Sequence, residues 1–146
     1  MSSLLPIIKM PGRRAYPPRQ SRFTHNFWDQ LEHGRFTTTQ CENCKGLTFP
    51  PKAFCPHCWS RSIRWVDAPS KGKLYSYTTI HVAPEIFSIE APYKVCIADL
   101  DGKLRIATRL VETDAELTLD SPIEIVILRY EDGSLFAVRP QTSRTA

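Results

Sequence analysis

The chain has no long apolar run. No stretch of ~18 apolar residues occurs in its 146 residues, so the sequence predicts no membrane-spanning helix. Its beginning holds only a short apolar patch, interrupted by Pro6 and Lys9, and it lacks the basic-then-apolar order of a secretory signal. We therefore expect a cytoplasmic protein whose thiols stay reduced.

Catalytic motifs are missing as well. The six glycines form neither a phosphate-cradling loop nor a nucleophile elbow. His25, His33 and His81 form no cluster along the sequence. Cys96 stands in an apolar run, where a lone cysteine is usually a small core residue. We therefore expect a chain that has no turnover of its own.

Charge is unevenly spread, although the formal net charge is only +4. Residues 1–22 carry Lys9 and four arginines, no acid and several prolines. This composition predicts an extended, solvated arm over residues 1–20, and a phosphate-binding arm is the alternative. The net charge is too small to indicate a nucleic-acid partner by itself.

Four of the five cysteines form two pairs with the spacing of metal ligands. Two residues separate Cys41 from Cys44, two separate Cys55 from Cys58, and ten residues lie between the pairs. Cysteines at this spacing curl the backbone so that both sulfurs face one point, and the second pair completes a tetrahedron. The pattern predicts one structural zinc ion bound by all four thiolates.

Disulfides, a redox dithiol and an iron site each fit these cysteines less well than zinc does. Disulfides need an oxidising compartment, for which the sequence has no signal. A redox dithiol uses one pair and stands near a βαβ pattern that is missing here. Iron binds the same four sulfurs, but nothing else in the sequence indicates electron transfer, so zinc is favoured. His57 is a competing ligand, but four cysteines already suffice.

One short amphipathic helix is predicted over residues 21–34. Its apolar residues recur at helical spacing: Phe23, Phe27, Trp28 and Leu31. We favour packing of this stripe over its use as a ligand platform. We further predict that the stripe docks on a partner protein, because the adjacent Phe27 and Trp28 widen it beyond what a small core is expected to cover.

From residue 72 onward the apolar pattern changes to period two, which indicates strands. In the first, long strand one face is assigned Leu74, Ser76, Thr78, Ile80 and Val82, and the other Tyr75, Tyr77 and His81. Later strands are predicted at Tyr93–Leu100, Leu104–Leu110, Pro122–Tyr130 and Leu135–Arg139, with hairpin turns at Asp101-Gly102 and Asp132-Gly133. Five such strands favour a closed OB-type barrel, and an open SH3-like barrel is the alternative.

The expected fold class is mainly β, with the parts in a fixed order. An arm (1–20) and a helix (21–34) precede a zinc ribbon (35–66), an OB-fold barrel (67–140) and a polar tail (141–146). The ribbon is too small to fold on apolar burial alone, so we expect the metal to hold it together.

This order of parts resembles the DUF35 family. The shared features are the short helix, the two cysteine pairs, the stretch Phe49-Pro50-Pro51 between them and the strand entry Gly72–Thr79. The resemblance covers residues 22–140 and implies a rubredoxin-like zinc ribbon followed by an OB-fold domain. It also implies a role as a small subunit or scaffold beside thiolase-like, HMG-CoA-synthase-like, hydratase or aldolase enzymes, with acyl-CoA as a proposed ligand.

Two functions from different classes follow. The first is a non-catalytic accessory protein that binds acyl-CoA, a thiolase-like acyl-CoA enzyme, or both. The second is a single-stranded nucleic-acid binder, in which Tyr75 and Tyr77 would stack bases beside Arg105 and Arg109. Acids such as Asp99 balance those arginines and weigh against the second function.

Overall fold

The computed structural model describes residues 4–114 and 116–141, so the predicted tail lies outside the described residues except for Gln141. The strands are β1 (Ile7–Lys9), β2 (Thr37–Cys41), β3 (Leu47–Thr48), β4 (Ile63–Asp67), β5 (Lys71–Ile80), β6 (Tyr93–Leu100), β7 (Leu104–Leu110), β8 (Pro122–Tyr130) and β9 (Gly133–Pro140). Helix α1 spans His25–Glu32, and a 3₁₀ helix spans Glu85–Glu90. Neither of these described helices has the length and apolar character needed to cross a membrane.

Five strands close into an OB-like barrel, as predicted. β5 pairs with β6, β6 with β7, and β8 with both β5 and β9, all in antiparallel fashion. A short parallel contact between β7 and β9, at Leu110 and Val138, completes the ring. The interior is filled by aliphatic side chains: Leu74, Ala98, Leu100, Ile106, Ile123, Ile125, Ile127 and Val138. The alternation of apolar residues therefore produces a closed core, since alternate residues of each strand face inward.

The turns differ slightly from the sequence prediction. Three residues rather than two connect β6 to β7, and the N–H of Lys103 donates to the carbonyl of Leu100 at 2.9 Å. Asp101 and Gly102 both have positive φ, as an Asp-Gly turn requires. In the last hairpin Tyr130 pairs with Gly133, so the turn lies one residue earlier than predicted.

A β-bulge in β5 corrects the predicted face of Tyr77. The register shifts between Leu74 and Ser76, which leaves Tyr75 as the extra residue. Beyond the bulge Tyr77 pairs with Cys96, and directly paired residues share a face of the sheet. Tyr75 and Tyr77 therefore lie on opposite faces, and the prediction that they share one is wrong.

The described part of the arm, residues 4–20, is only partly solvated: its first half packs on the barrel, whereas most of residues 11–20 are exposed. β1 pairs in parallel with β8, whose edge is free where β5 no longer accompanies it. Leu5 is buried, and Ile8 and Met10 pack on Val126 and Leu128 of the outer barrel surface. The arm is held because it covers both an open strand edge and an apolar patch.

An aromatic cluster joins the helix, the ribbon and the barrel. The ring of Phe27 in α1 lies 5.9 Å from Phe36, 5.8 Å from Phe49 and 5.8 Å from Phe136, measured between centroids. Phe27 is only 3% exposed, and Trp28 packs against Phe136 at 6.4 Å. The stripe on α1 is therefore internal packing, and the prediction of an exposed docking surface is wrong.

Candidate metal centre and the surrounding surface

The two cysteine turns bring four sulfur atoms together. The Sγ atoms of Cys41, Cys44, Cys55 and Cys58 all lie within 4.8 Å of one another. Cys41 and Cys58 are separated by 3.6 Å, and Cys44 and Cys55 by 3.5 Å. A disulfide requires about 2.05 Å. Zinc–sulfur bonds of about 2.3 Å place tetrahedral ligands about 3.8 Å apart, so the observed spacing fits a shared metal ion rather than two disulfides.

Both cysteine turns are closed by an equivalent backbone hydrogen bond, from the residue after the second cysteine to the first cysteine. The N–H of Lys45 donates to the carbonyl of Cys41 at 3.0 Å, and the N–H of Trp59 donates to the carbonyl of Cys55 at 2.8 Å. Lys45 and Trp59 both have positive φ, of 65° and 64°. Each turn thus closes directly after its second cysteine and aims both sulfurs inward.

Nearby N–H groups point at the sulfurs. The amide of Cys44 donates to the sulfur of Cys41 at 3.4 Å, and the side-chain amide of Asn43 donates to the sulfur of Cys58 at 3.6 Å. The backbone N–H of Ser60, together with Asn43, lowers the pKa of Cys58 to about 6. The N–H of Cys44 likewise lowers the pKa of Cys41. These donors favour thiolates, the form that binds metal.

Four thiolates so close together repel one another unless a cation balances them. The N–H of Gly46 lowers the pKa of Cys44, but the neighbouring sulfur of Cys55 raises it, and the outcome is a pKa of about 11. A divalent ion removes this conflict because all four sulfurs then share its charge. His57 does not belong to the ligand group found in the described part of the chain, which consists of the four cysteines.

Cys96 lies away from this centre, on β6 inside the barrel. It is 4% exposed, and burial raises the pKa of its thiol to about 11. A protonated, enclosed thiol is neither a ready nucleophile nor a metal ligand. The prediction of a small core residue is confirmed.

The two arginines that were predicted to lie beside stacked bases already contact other side chains of this chain. The guanidinium of Arg105 lies 3.9 Å from the centre of the Tyr75 ring and 3.2 Å from the carboxylate of Asp99. Arg109 lies 4.1 Å from the centre of the Tyr93 ring and 3.2 Å from the carboxylate of Glu90. The sequence analysis missed both stacking contacts and the Glu90 pair, because no local pattern links a loop acid to an arginine two strands away.

An ion pair between the arm and the last hairpin was also missed. Arg14 lies 3.3 Å from the carboxylate of Asp132, and its guanidinium donates to the carbonyls of Asp132 and Ser134. The backbone N–H of Arg14 adds a 2.8 Å bond and, with the guanidinium, holds the pKa of Asp132 below its usual 3.8. The contact joins residues 118 positions apart, so composition alone could not reveal it.

Both modules match known domain families. Residues 28–64 match the rubredoxin-like zinc ribbon domain of ChsH2, and residues 65–128 match the C-terminal OB-fold domain of ChsH2. A DUF35 domain-containing scaffold protein of Methanocaldococcus jannaschii is 34% identical over 97 residues, which cover 64% of this chain and 69% of that protein.

Two further likenesses concern subunits of enzymes. The benzoylsuccinyl-CoA thiolase subunit BbsA of Thauera aromatica is 28% identical over 94 residues, or 64% of each chain. A solved structure of an Ltp2-ChsH2(DUF35) aldolase is similar with a TM-score of 0.72 and 28% identity, and the match covers 85% of this chain and 98% of that one. The ribbon, the barrel and the scaffold-protein relative together show that this chain belongs to the DUF35 family.

Proposed function

We propose that this chain is a non-catalytic scaffold subunit, built around one structural zinc ion, that joins an enzyme acting on CoA thioesters, most closely a thiolase-like one. The observation that carries this proposal is the four-sulfur centre at Cys41, Cys44, Cys55 and Cys58. An ion held by four sulfurs has no ligand position left for a reacting water, so such a site stabilises a fold rather than performs a reaction.

The relatives supply the class of partner. One is named a scaffold protein, one a thiolase subunit, and the similar solved structure is an aldolase that contains a DUF35 chain. The CoA-thioester chemistry of the thiolase relative favours a partner of the same class for this chain. The assignment of zinc rather than iron is also part of the proposal, supported by the match to a zinc ribbon domain.

Direct contact with acyl-CoA is the finer part of the proposal. Among the described residues, the ribbon cations Lys45, Lys52 and Arg61 form no ion pair, whereas the barrel arginines lie beside carboxylates at three positions: Arg105, Arg109 and Arg139. CoA carries several phosphate charges, and unpaired cations can meet them without first breaking an ion pair. We propose that these three residues face the CoA phosphates once the partner enzyme is bound.

Nucleic-acid binding is the weaker alternative. A stacking platform needs open aromatic faces beside free cations. Here Arg105 covers Tyr75, Asp99 pairs with Arg105, and Tyr77 lies on the opposite sheet face. The surface that the sequence analysis assigned to bases is therefore divided and partly covered.

The function is tested by reconstitution. A tagged form of the chain is expressed at its native level and isolated together with its partner. The partner is then identified and purified separately. We expect one zinc and no iron per chain by elemental analysis, a stable complex in sedimentation, and CoA-thioester turnover that needs the enzyme. Turnover by the isolated chain, or failure to bind any CoA-thioester enzyme, contradicts the proposal.

The acyl-CoA contact has a separate test in the reconstituted complex. Replacing Lys45, Lys52 and Arg61 with glutamine should raise KM for the CoA thioester, by roughly fivefold for about 1 kcal/mol of lost attraction. The effect should shrink at high salt, because exposed charges are screened. Arg35→Gln is the matched control, since Arg35 already pairs with Asp67 at 2.8 Å. An unchanged KM in the triple variant would contradict the proposed acyl-CoA contact without affecting the proposed scaffold role.

A further inference from the structure

Trp59 stands at a backbone position that suits glycine. It follows the second cysteine of its turn, its N–H closes that turn on the carbonyl of Cys55, and its φ is 64°. A bulky residue rarely adopts this left-handed conformation, because its Cβ crowds the following carbonyl oxygen. Lys45 has the same conformation at the same place in the first turn, so the geometry comes from the turn. The backbone therefore gives no reason for a tryptophan here.

Packing inside the chain gives little reason either. Trp59 is 74% exposed and belongs to neither apolar cluster of the described core. Its ring lies parallel to the ring of Phe54, with 5.6 Å between the centroids and 5° between the planes. Phe54 thus covers one face of the indole, and the high exposure leaves the opposite face open to solvent. We call this open face of Trp59 the indole face.

Cations outnumber acids in the part of the ribbon that holds the indole face. Outside the sulfur centre, residues 41–61 contain one acid, Glu42, against three cations: Lys45, Lys52 and Arg61. Among the described residues, none of the three forms an ion pair. An anionic ligand that reaches this surface therefore meets cations that no carboxylate holds.

The two cysteine turns bring cations to both sides of the indole face. A Cβ added to Gly46 would stand 3.1 Å from the ring of His57, so the two turns lie against each other at these residues. Lys45 directly precedes Gly46, whereas Trp59 lies two residues after His57 and Arg61 two residues further on. A flat aromatic ring is thus displayed among cations from both turns.

We propose that the indole face stacks on the adenine ring of the CoA thioester in the complex with the partner enzyme. This inference rests on the proposed function, in particular on the acyl-CoA contact, and adds the part of CoA that meets Trp59. Bases stack on exposed aromatic side chains without a specific hydrogen-bond pattern. CoA carries its phosphates on the same nucleotide as its adenine. One group of the ligand therefore supplies both the flat ring and the negative charge that this surface fits.

An apolar pocket of a partner protein fits the indole face less well. Closing such a pocket over Trp59 would take the neighbouring cations Lys45 and Arg61 out of water without an opposite charge, which is unfavourable. The hydrogen bond that closes the turn also fixes the indole before a ligand arrives, and a fixed group loses less conformational freedom on binding.

The test compares two substrates of the reconstituted complex: an acyl-CoA, and the same acyl group on pantetheine, which lacks the nucleotide. Trp59→Gly should raise KM for the acyl-CoA by about tenfold, the usual size of one lost base stack. KM for the acyl-pantetheine should stay at the wild-type value. A general loss of structure would raise both KM values, so the difference between the substrates isolates the nucleotide contact.

Three controls accompany this variant. Trp59→Gly itself should keep one zinc per chain and nearly the wild-type melting temperature, because glycine adopts the positive φ without strain. Trp59→Phe retains an aromatic ring and should retain most of the preference for the acyl-CoA. Tyr16→Ala removes an exposed ring of the arm and should leave both KM values unchanged.

The outcomes separate this inference from the function on which it rests. Equal changes of KM for both substrates, or an unchanged KM for the acyl-CoA, overturn the inference, although the scaffold role stands. If Trp59→Gly instead raises Kd for the partner enzyme without changing KM, the indole face binds protein and the inference is overturned. If the wild type binds no CoA-thioester enzyme, the proposed function fails and this inference fails with it.

Discussion

The ribbon, formed by β2, β3, β4 and the two cysteine turns, and the barrel, formed by β5 to β9, are held together by different forces. In the barrel, buried leucine, isoleucine and valine side chains fill one interior. In the ribbon, the most buried groups include the sulfurs of Cys41 and Cys55 and the hydroxyls of Thr38 and Thr39. Apolar burial stabilises a fold in water without any bound ion, whereas a sulfur centre holds together only with its metal.

The two regions are nevertheless not independent. Phe36 and Phe49 of the ribbon side meet Phe136 of β9 around the central ring of Phe27. Phe36 is buried in the same apolar cluster as Leu74 and Ile125 of the barrel. The metal-dependent ribbon thus shares its apolar surface with the metal-independent barrel. A substitution that destabilises either region is therefore expected to destabilise the other through this cluster.

The largest expected effect comes from removing a metal ligand. Cys55→Ser should abolish stable zinc binding and unfold the ribbon, because metal contributes about 10 kcal/mol or more to the folding of zinc modules. Hydrogen exchange of β2 and β4 and elemental analysis measure the two losses. Cys96→Ala is the control and should retain one zinc per chain, since Cys96 lies inside the barrel. Full zinc content in Cys55→Ser would show that Cys55 is not a zinc ligand.

The next effect tests the shared cluster. Phe27→Ala should cost about 3–5 kcal/mol of unfolding free energy, because it removes the central ring of a packed aromatic group. Urea denaturation should show the ribbon and the barrel weakened together. Phe54→Ala is the control, because Phe54 stacks only on the exposed Trp59 and should cost about 1 kcal/mol. If Phe27→Ala weakens the ribbon and leaves the barrel at wild-type stability, the regions are separate after all.

A third change probes the barrel alone. Gly72 lies at the start of β5, where an added Cβ would collide with the carbonyl oxygen of Asp99. Gly72→Ala should therefore cost about 1–3 kcal/mol through forced backbone movement, and more if the strands cannot separate. Thermal unfolding measures the loss, and zinc content should stay at the wild-type level.

The control for this barrel probe is Gly12→Ala in the arm. Its Cβ would meet nothing within 4 Å, so only the positive φ of 72° is unfavourable there. This left-handed conformation costs an alanine about 1–2 kcal/mol. A zinc loss in Gly72→Ala would show that the barrel controls the metal site, contrary to the division of forces described above.

The smallest effect concerns the arm and depends on pH. The pKa of Asp132 lies below its usual 3.8, chiefly because the backbone N–H of Arg14 bonds the ionised carboxylate. The resulting stability is fully present above pH 3.8 and is lost as pH falls through the lower pKa of the folded state. Asp132→Asn should therefore melt below the wild type at pH 7, and the two melting temperatures should approach each other as the pH falls well below 3.8. Parallel curves at all pH values would mean that Arg14 does not stabilise the charged form.

The features that could be predicted from sequence are those that depend on neighbours along the chain. The spacing of Cys41, Cys44, Cys55 and Cys58 brings the sulfurs together through two local turns, so the four-cysteine cluster could be predicted from the sequence. Strands such as Leu104–Leu110 follow from alternation, because alternate side chains of a strand face opposite sides. The closed barrel follows from five such strands with one apolar side each.

Only the tertiary structure decided which apolar groups are covered and by what. Phe27 was predicted to contact a partner protein, yet it packs against Phe36, Phe49 and Phe136, which are far apart along the chain. Ile89 is as apolar as the isoleucines of the barrel core, yet it stands almost fully exposed in the segment between β5 and β6. The amino-acid sequence determines how apolar each side chain is and in what local conformation it is held, whereas burial depends on distant residues that only the folded chain brings together.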